Sequence, residues 1–599
     1  WKFKGFVISD ASAVGGANVL HYTAKDYPTS GKQAITGGLD VIFQTSYEHY
    51  KLFIPPFLNG EIDIKRIDDA VSRVLRAKFE LGLFEHPYVD ENEIVKAADD
   101  KSHKAIAKKA ALESVVLLKN EDHILPIKKN IKTIAVIGTD AVEARLGGYS
   151  GPGNGKINIL DGLKTRAGND IKILYAPGCG RYIEDWTVVP KEYLTNTISN
   201  KTEQGLKGEY FNNITLMGIP KLTRTDADVN FQWTLNSPDR SINLDFYSVR
   251  WTGKIHSPKT GHYKIGLDGN DGYRLYINNQ LLIDNWKKRS YHSLLSDLFF
   301  EQNKDYDIRI EFFEPVGNAH IKLIWNVNVT NDLDKKINEA VDVAKRSDIA
   351  IVVAGIEEGE FRDRAMLTLP GKQEELINKI AATGKPVVVL LVGGSAITMN
   401  NWIDNVNGIV DVWYPGEEGG NAIAEILFGD HDPAGRLPIT FPLSEAQLPL
   451  VYDHKPTGRG DDYNNLSGLP LFPFGFGLSY TQFEYSDLKI EKNNISQTDS
   501  TIIKCKIKNI GDMEGDEVVQ LYIHDLLASV ARPVMELKGF QRIHFSPGET
   551  KEISFKITPS MLSMLDEKLN TVVEPGDFRI MIGASSRDIK LKETLTVVE

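Results

Sequence analysis

Helical periodicity stops near residue 200 of this 599-residue chain and resumes near residue 333. That gap limits the fold more than any other feature. Before it, a helix expected over 106–118 leads to a strand at 133–137. A glycine-rich turn (Gly147, Gly148, Gly151, Gly153, Gly155) and a strand at 171–175 follow. After it, helices at 335–346, 373–383 and 420–428 alternate with strands at 349–354, 386–392 and 409–413. Inside it, short aromatic and β-branched runs (208–211, 246–251, 262–267, 273–277, 307–312, 320–325) are separated by turn residues. Asn278-Asn279 sits between two alternating runs, as a hairpin turn does. The economical solution is an all-β sandwich at 205–329 inserted into one α/β domain formed by 101–204 and 330–448. A loop tip accepts such an insertion when the two ends of the insert lie close together.

The flanks follow the same logic. Residues 1–100 carry a strand at 6–9, a second at 39–43 opened by Gly37-Gly38, and a helix at 67–81. In that helix Ile67, Val71, Val74, Leu75 and Phe79 recur at helical spacing. Two strand–helix units neither close a barrel nor cover a parallel sheet on both faces. With a core strand so soon after Trp1, the expectation is that 1–100 is the carboxyl-terminal part of a larger parallel α/β layer. Residues 449–484, rich in Gly, Pro and aromatics, read as a packed connector. Residues 485–599, with strands at 502–507, 518–524, 551–557 and 578–582, read as a second sandwich. The fold class is therefore multidomain, α/β plus all-β.

Composition removes whole classes of function. A net charge of −12 argues against a general nucleic-acid binder and against attachment to a membrane surface through a basic patch. No apolar run approaches the length of a membrane span. The two cysteines, Cys179 and Cys505, fall in different expected domains, so a structural disulfide is not expected. There is no Cys/His cluster and no His-Glu-x-x-His pattern, so no metal or cofactor is expected. The Gly147–Gly155 run lacks the spacing and the Lys-Ser/Thr ending of a phosphate-binding loop. Asp268 and Asp271 offer too few oxygens for calcium. Trp233, Trp251, Tyr273, Trp286 and Trp325 are read as core in preference to sugar-stacking platforms.

Charge is concentrated in one unusual place. The apolar strand at 349–354 opens into Gly355-Ile-Glu-Glu-Gly-Glu-Phe-Arg-Asp-Arg364. Charges near a strand end are solvated, paired or used. A second apolar strand, in Lys4-Gly-Phe-Val-Ile-Ser-Asp10, also stops on a carboxylate. Two carboxylates at strand ends are what hydrolysis of a glycosidic bond requires. Taken alone, the first is a solvated loop and Asp10 is a helix cap.

Together with other motifs, these segments resemble the family 3 glycoside hydrolases. Lys4 to Asp10, Gly37-Gly-Leu-Asp40 and the 73–78 helix ending in Leu81-Gly-Leu-Phe84 resemble the end of that family's barrel domain, so the resemblance implies that 1–100 is the carboxyl-terminal part of a (β/α)8 barrel and that the chain as given is inactive alone. Val115-Val-Leu-Leu-Lys-Asn120, Glu358 to Arg364, Trp413-Tyr-Pro-Gly-Glu-Glu-Gly-Gly420 and Pro433-Ala-Gly-Arg-Leu-Pro438 resemble its α/β-sandwich domain. Phe474-Gly-Phe-Gly-Leu-Ser-Tyr480 follows, and the last sandwich resembles its fibronectin type III-like domain. The inserted sandwich is similar to the PA-14 module through Leu267-Asp-Gly-Asn-Asp-Gly-Tyr-Arg-Leu-Tyr-Ile277.

The resemblance implies a retaining exo-β-glycosidase, with a β-linked oligosaccharide or glucoside as substrate. A β-glucosidase is expected; a β-xylosidase or a non-catalytic carbohydrate-binding protein is the alternative. Asp10 matches the family's nucleophile. Glu360, four residues before Arg364, matches its acid/base, with Glu358 as the alternative. Phe361 replaces the family's usual glycine, and Ala11 stands where many members carry an aromatic. By analogy the resemblance favours a periplasmic or secreted location, and it leaves the oligomeric state open.

Overall fold

The computed structural model describes residues 3–599 except 12, 20, 45–48, 99–100, 149, 183–185, 199–200, 234–236, 244, 316–318, 330–331, 360–362 and 458–461. These residues form two compact units, Trp1–Ala97 with Glu184–Thr330, and Ala98–Ile183 with Asn331–Glu599.

In the second unit a six-stranded sheet runs in the spatial order Val116–Asn120, Gly408–Asp411, Val387–Val392, Ile349–Gly355, Thr133–Ile137, Lys172–Ala176. The first pair is antiparallel and the rest are parallel. Ile349–Gly355 and Val387–Val392 are buried at every position. Such unbroken apolar runs are stable as strands only when both faces are covered. Helices Leu333–Lys345 and Gln373–Ala381 pack into the core on one face, and Ile159–Ala167 and Gly419–Phe428 into the core on the other. The last two helices touch backbone to backbone: a Cβ on Gly162 would lie 2.0 Å from the Gly420 carbonyl oxygen. Counted along the chain, the five parallel strands stand in the order 2-1-3-4-5. The direction of winding reverses between Thr133–Ile137 and Ile349–Gly355, and such a reversal opens a crevice at the carboxyl ends of the strands.

One expected element is corrected here. The helix expected over 106–118 ends at Ser114, and Val116–Asn120 is the antiparallel edge strand. Val115-Val-Leu-Leu is an apolar run that fits either period, and pairing with Gly408–Asp411 decides it. Further along this unit, a three-stranded and a five-stranded sheet enclose a core that includes Ile503, Cys505, Val519, Phe545 and Ile580. Both cysteines are free and buried.

In the first unit, an eight-stranded and a five-stranded sheet sandwich a core in which Tyr210, Tyr247, Trp251, Tyr273, Phe312 and Trp325 are fully buried. Trp286 is half-buried, with the Arg274 guanidinium 4.7 Å from its ring centre. Asn278 and Asn279 take φ of 49° and 64°, the two-residue hairpin turn between Gly272–Ile277 and Gln280–Asn285. The strands Thr187–Val188, Leu194–Ile198 and Lys201–Gln204 belong to these sheets, so the sandwich begins by residue 187 and not at 205. They are two to five residues long and rich in Thr, too short and polar to show a period of two.

The first 97 residues are mostly helical. The expected strands at 6–9 and 39–43 meet through one parallel bridge, Ile8 to Val41. Helix Ile64–Glu80 is capped by the Asp63 side chain and pins both segments. Its Arg66 donates to the Ile35 and Leu39 carbonyls and pairs with Asp40. Its Arg73 donates to the carbonyls of Phe3 and Gly5, and its Arg76 to that of Lys4.

Candidate active site

The segment that carries Glu358 leaves the carboxyl end of Ile349–Gly355, beside the crevice. The strand end is sealed by Gln373. Its side-chain oxygen accepts from Gly355 N at 2.9 Å, and its amide donates to Gly355 O at 2.8 Å. The chain then stays on the sheet for one more residue, with Ile356 N donating to Val392 O at 3.0 Å. The Arg145 guanidinium holds the Ile356 carbonyl at 2.6 Å. It is itself held by Asp140 at 2.6 Å, and Arg181 reaches the same Asp140 oxygen at 2.7 Å.

Glu358 comes to rest among donors from two neighbouring strand ends. The Gly394 N–H and the Ser395 hydroxyl, just beyond Val387–Val392, donate to Oε2 and Oε1 respectively. The Tyr414 hydroxyl, beyond Gly408–Asp411, donates to Oε2 at 3.2 Å. Gly394 is needed for closeness, since a Cβ there would sit 3.0 Å from Oε2. Gly148 serves the same end from the glycine-rich segment: its Cβ would lie 3.1 Å from the Glu358 carbonyl oxygen. One glycine of the run that fails as a phosphate loop thus lies against the Glu358 backbone.

Arg364, at the far end of the segment, returns to the same turn. Its Nη2 donates to Ser395 Oγ at 2.8 Å and to Ala396 O at 3.1 Å. Burial lowers the proton affinity of this guanidinium, and Glu358, Tyr414 and Glu445 oppose that effect. Burial raises that of Tyr414, and Glu358 adds to it. Asp411, fully enclosed beneath them, is pushed up to about 8 by burial. Trp413 N–H pulls it down and Glu358 pushes it further up. The cluster therefore holds one carboxylate rigidly, a phenol and a guanidinium around it, and a neighbouring carboxyl that stays protonated at neutral pH.

Of the residues singled out in the sequence, Glu358 lies in this cluster and Glu360 lies outside the described residues. Asp10 is in the first unit, two residues past the Ile8 bridge. It is exposed, and its Oδ1 accepts from Ala11 N at 2.7 Å. The Ser9 hydroxyl accepts from Phe43 N and donates to Asp10 O, both at 2.9 Å, which fixes the backbone that presents the carboxylate. Sequence reasoning missed Gly394, Ser395 and Tyr414 as partners of Glu358, and Asp411 and Arg145 as its charged neighbourhood. The available signal was that Gly393-Gly-Ser395 and Trp413-Tyr414 each follow an apolar strand of the same parallel sheet. A broad groove of about 1080 Å³ lies elsewhere in this unit, between Tyr452, Tyr463, Phe474 and Arg587.

Comparison with known proteins adds relatives to this geometry. The family model described as glycosyl hydrolase family 3 C-terminal domain matches residues 115–480, and a fibronectin type III-like domain model matches 517–586. A xylan 1,4-beta-xylosidase of Xylanibacter ruminicola is 30% identical over 100% of this chain and 70% of its own length. A periplasmic beta-glucosidase of Salmonella typhimurium is 29% identical over 98% of this chain and 63% of its own. The solved structure of a β-glucosidase from Erythrobacter marinus superposes with a TM-score of 0.72 at 26% identity, covering 100% of this chain and 64% of that one. The chain thus spans about two thirds of the length of the proteins it matches.

Proposed function

The chain belongs to glycosyl hydrolase family 3, and from that premise we propose that it serves a retaining, exo-acting β-glycosidase. The substrate would be an oligosaccharide or glucoside with a non-reducing terminal β-D-glucosyl residue. One observation carries the reading: an acidic segment springs from the carboxyl end of a fully buried strand beside the sheet's crevice, and its Glu358 carboxylate is held by three donors.

In this mechanism the Asp10 carboxylate attacks the anomeric carbon, and Glu360 protonates the departing glycosidic oxygen. The sugar is left esterified to Asp10. Glu360, now ionised, takes a proton from water, and the hydroxide oxygen displaces Asp10 from the anomeric carbon. Glu358 is better suited to anchoring than to acid catalysis, because both its oxygens already receive hydrogen bonds.

A second reading, β-xylosidase, draws on the two relatives at 30% identity that are named as xylosidases. The ratio of kcat/KM for aryl β-glucosides and β-xylosides separates the two, since a pocket closed around carbon 5 excludes the hydroxymethyl group of glucose.

Assays belong on the product of the whole open reading frame containing this chain. Glu360→Gln should lower turnover of glycosides with poor leaving groups by on the order of 10³-fold while sparing glycosylation by dinitrophenyl glycosides. A 2-fluoro glycoside should label Asp10, visible by peptide mass spectrometry. Sugar binding with no adduct at Asp10 would make this a carbohydrate-binding protein instead.

A further inference from the structure

We infer that Asp271 and Glu314, inside the inserted sandwich, share one proton, and that giving it up loosens the sandwich, which makes this part of the chain a pH-sensitive element. The strand register brings the two together. Gly272 pairs with Phe313, so the next pair outward is Asp271 with Glu314; on its other side Glu314 pairs with Tyr247. Residues directly opposite in antiparallel strands point to the same face. Two residues inward, Phe312 pairs with Tyr273 on one side and Val249 on the other, and all three are fully buried core. Side chains two apart on a strand share a face, so the row of Asp271, Glu314 and Tyr247 points into the same core.

The row lacks what a buried charge needs. Glu314 is 0% and Asp271 2% exposed. Neither Glu314 oxygen meets a hydrogen-bond donor among the described residues, and the Tyr247 hydroxyl beside them is also without a partner. Asp271 Oδ2 accepts from Asn270 Nδ2 at 2.8 Å. Asp268, just as buried, shows the contrast: it accepts from Ser293 Oγ at 2.6 Å and from the Tyr291 hydroxyl, with Lys322 Nζ at 3.5 Å.

Two carboxylates are acceptors only, and like charges across a strand pair repel. A single proton removes both difficulties: the protonated acid donates to its neighbour, and the pair carries one charge. Glu314 is the member that keeps it. Burial raises its proton affinity well above the ordinary value, and Asp271 and Asp245 add to that against Lys288. Burial raises Asp271 to about 6, against the hydrogen bond from Glu314 and the charge of Lys288. The groups facing the pair are thus Asp245, from the segment before Tyr247–His256; Lys288, from the segment after Gln280–Asn285; and Tyr247. The tyrosine is itself raised by burial, then by Glu314, Asp245, Tyr210 and Asp271. Asp245 also acts on Tyr27, at the start of helix Tyr27–Thr36 in the same unit.

The sign follows from linkage. The unfolded chain releases both protons in the ordinary carboxylate range, whereas the folded sandwich keeps one above it. Stability is therefore lost as pH rises from that range toward the folded value of Glu314, by up to about tenfold in the opening equilibrium per pH unit.

The experiment uses the product of the whole reading frame and its Glu314→Gln variant, which keeps the shape and a donor toward Asp271. At pH 7 the infrared difference spectrum, wild type minus Glu314→Gln, should contain the carbonyl band of one protonated carboxyl. Amides of Val249, Trp251, Tyr273 and Phe312, corrected for the intrinsic pH dependence of exchange, should lose about tenfold in protection per unit between about pH 6 and 7.5 in the wild type, and less than about twofold in Glu314→Gln. Should Glu314→Gln not fold, Glu314→Leu, apolar like the rest of the core face, carries the same two measurements. Absence of the band, or an equal slope in wild type and variant, overturns the inference. So does a wild-type slope that calcium or magnesium ions flatten while the variant stays unmoved, because the pair would then hold a cation and not a proton.

Discussion

The strand Ile349–Gly355 and the extended segment around Val7 and Ile8 are alike in sequence and opposite in environment. Each is an apolar run leading to carboxylates. The first is buried at all seven positions, whereas Val7 is 45% and Ile8 51% exposed. The first has a parallel neighbour on each side and helices over each face. The second has one bridge to Val41 and the arginines of a single helix. That helix, Ile64–Glu80, also leaves Val71 49% and Phe79 60% exposed on the face its spacing marks as apolar. An apolar run says that a strand can be buried. Only neighbours on all sides bury it.

Three measurements would break or sharpen this contrast. The largest difference is expected in hydrogen exchange. Amides of Val352 to Ala354 should open only with the whole domain and exchange on the order of 10⁴-fold more slowly than those of Ser9 and Val41. Comparable protection at the two sites would mean that 6–9 is as well covered as the central strand. Next in size is a packing test by denaturant unfolding. Leu390→Ala, in the fully buried strand beside Ile349–Gly355, should cost about 2–5 kcal/mol. Val7→Ala should cost less than about 0.5 kcal/mol; equal losses would end the comparison.

The smallest effect, taken per pH unit, is in pH, where two enclosed carboxyls near strand ends respond in opposite directions. Burial pushes Asp40 up, but Arg66 and Val7 N–H outweigh it and hold the carboxyl below its usual range. Its contribution to stability is therefore present above the ordinary carboxylate range and lost as pH falls through its folded value. Burial carries Asp411 up to about 8, and no cation is among the groups that oppose it. Between the ordinary carboxylate range and pH 8 the folded chain holds a proton that the unfolded chain has released. Stability thus falls as pH rises across that window, by at most about 1.4 kcal/mol per pH unit. Melting temperatures of Asp411→Asn should lose that slope, and an unchanged slope would show that the carboxyl is not buried as described.

Much of this was legible in the residues. The interruption of helical periodicity near 200 and its return near 333 announce sheets inside an α/β chain, and the Asn278-Asn279 turn falls where alternation predicts it. The short polar strands at 194–198 and 201–204 were not legible, because their hydrogen bonds come from Tyr247–His256 and from each other and leave no apolar pattern behind. Nor was Val116–Asn120, whose apolar residues suit a helix as well as a strand until Gly408–Asp411 pairs with it.

By itself the sequence determined the periodic elements and the acidic segment after Ile349–Gly355, because period and composition are local properties of the chain. Only the tertiary structure decided what holds Glu358. Its donors, Gly394, Ser395 and Tyr414, stand 36, 37 and 56 residues further along. They converge because parallel strands bring their carboxyl ends to one edge of the sheet, and nothing in the spacing of residues along a chain records which strand ends will be neighbours.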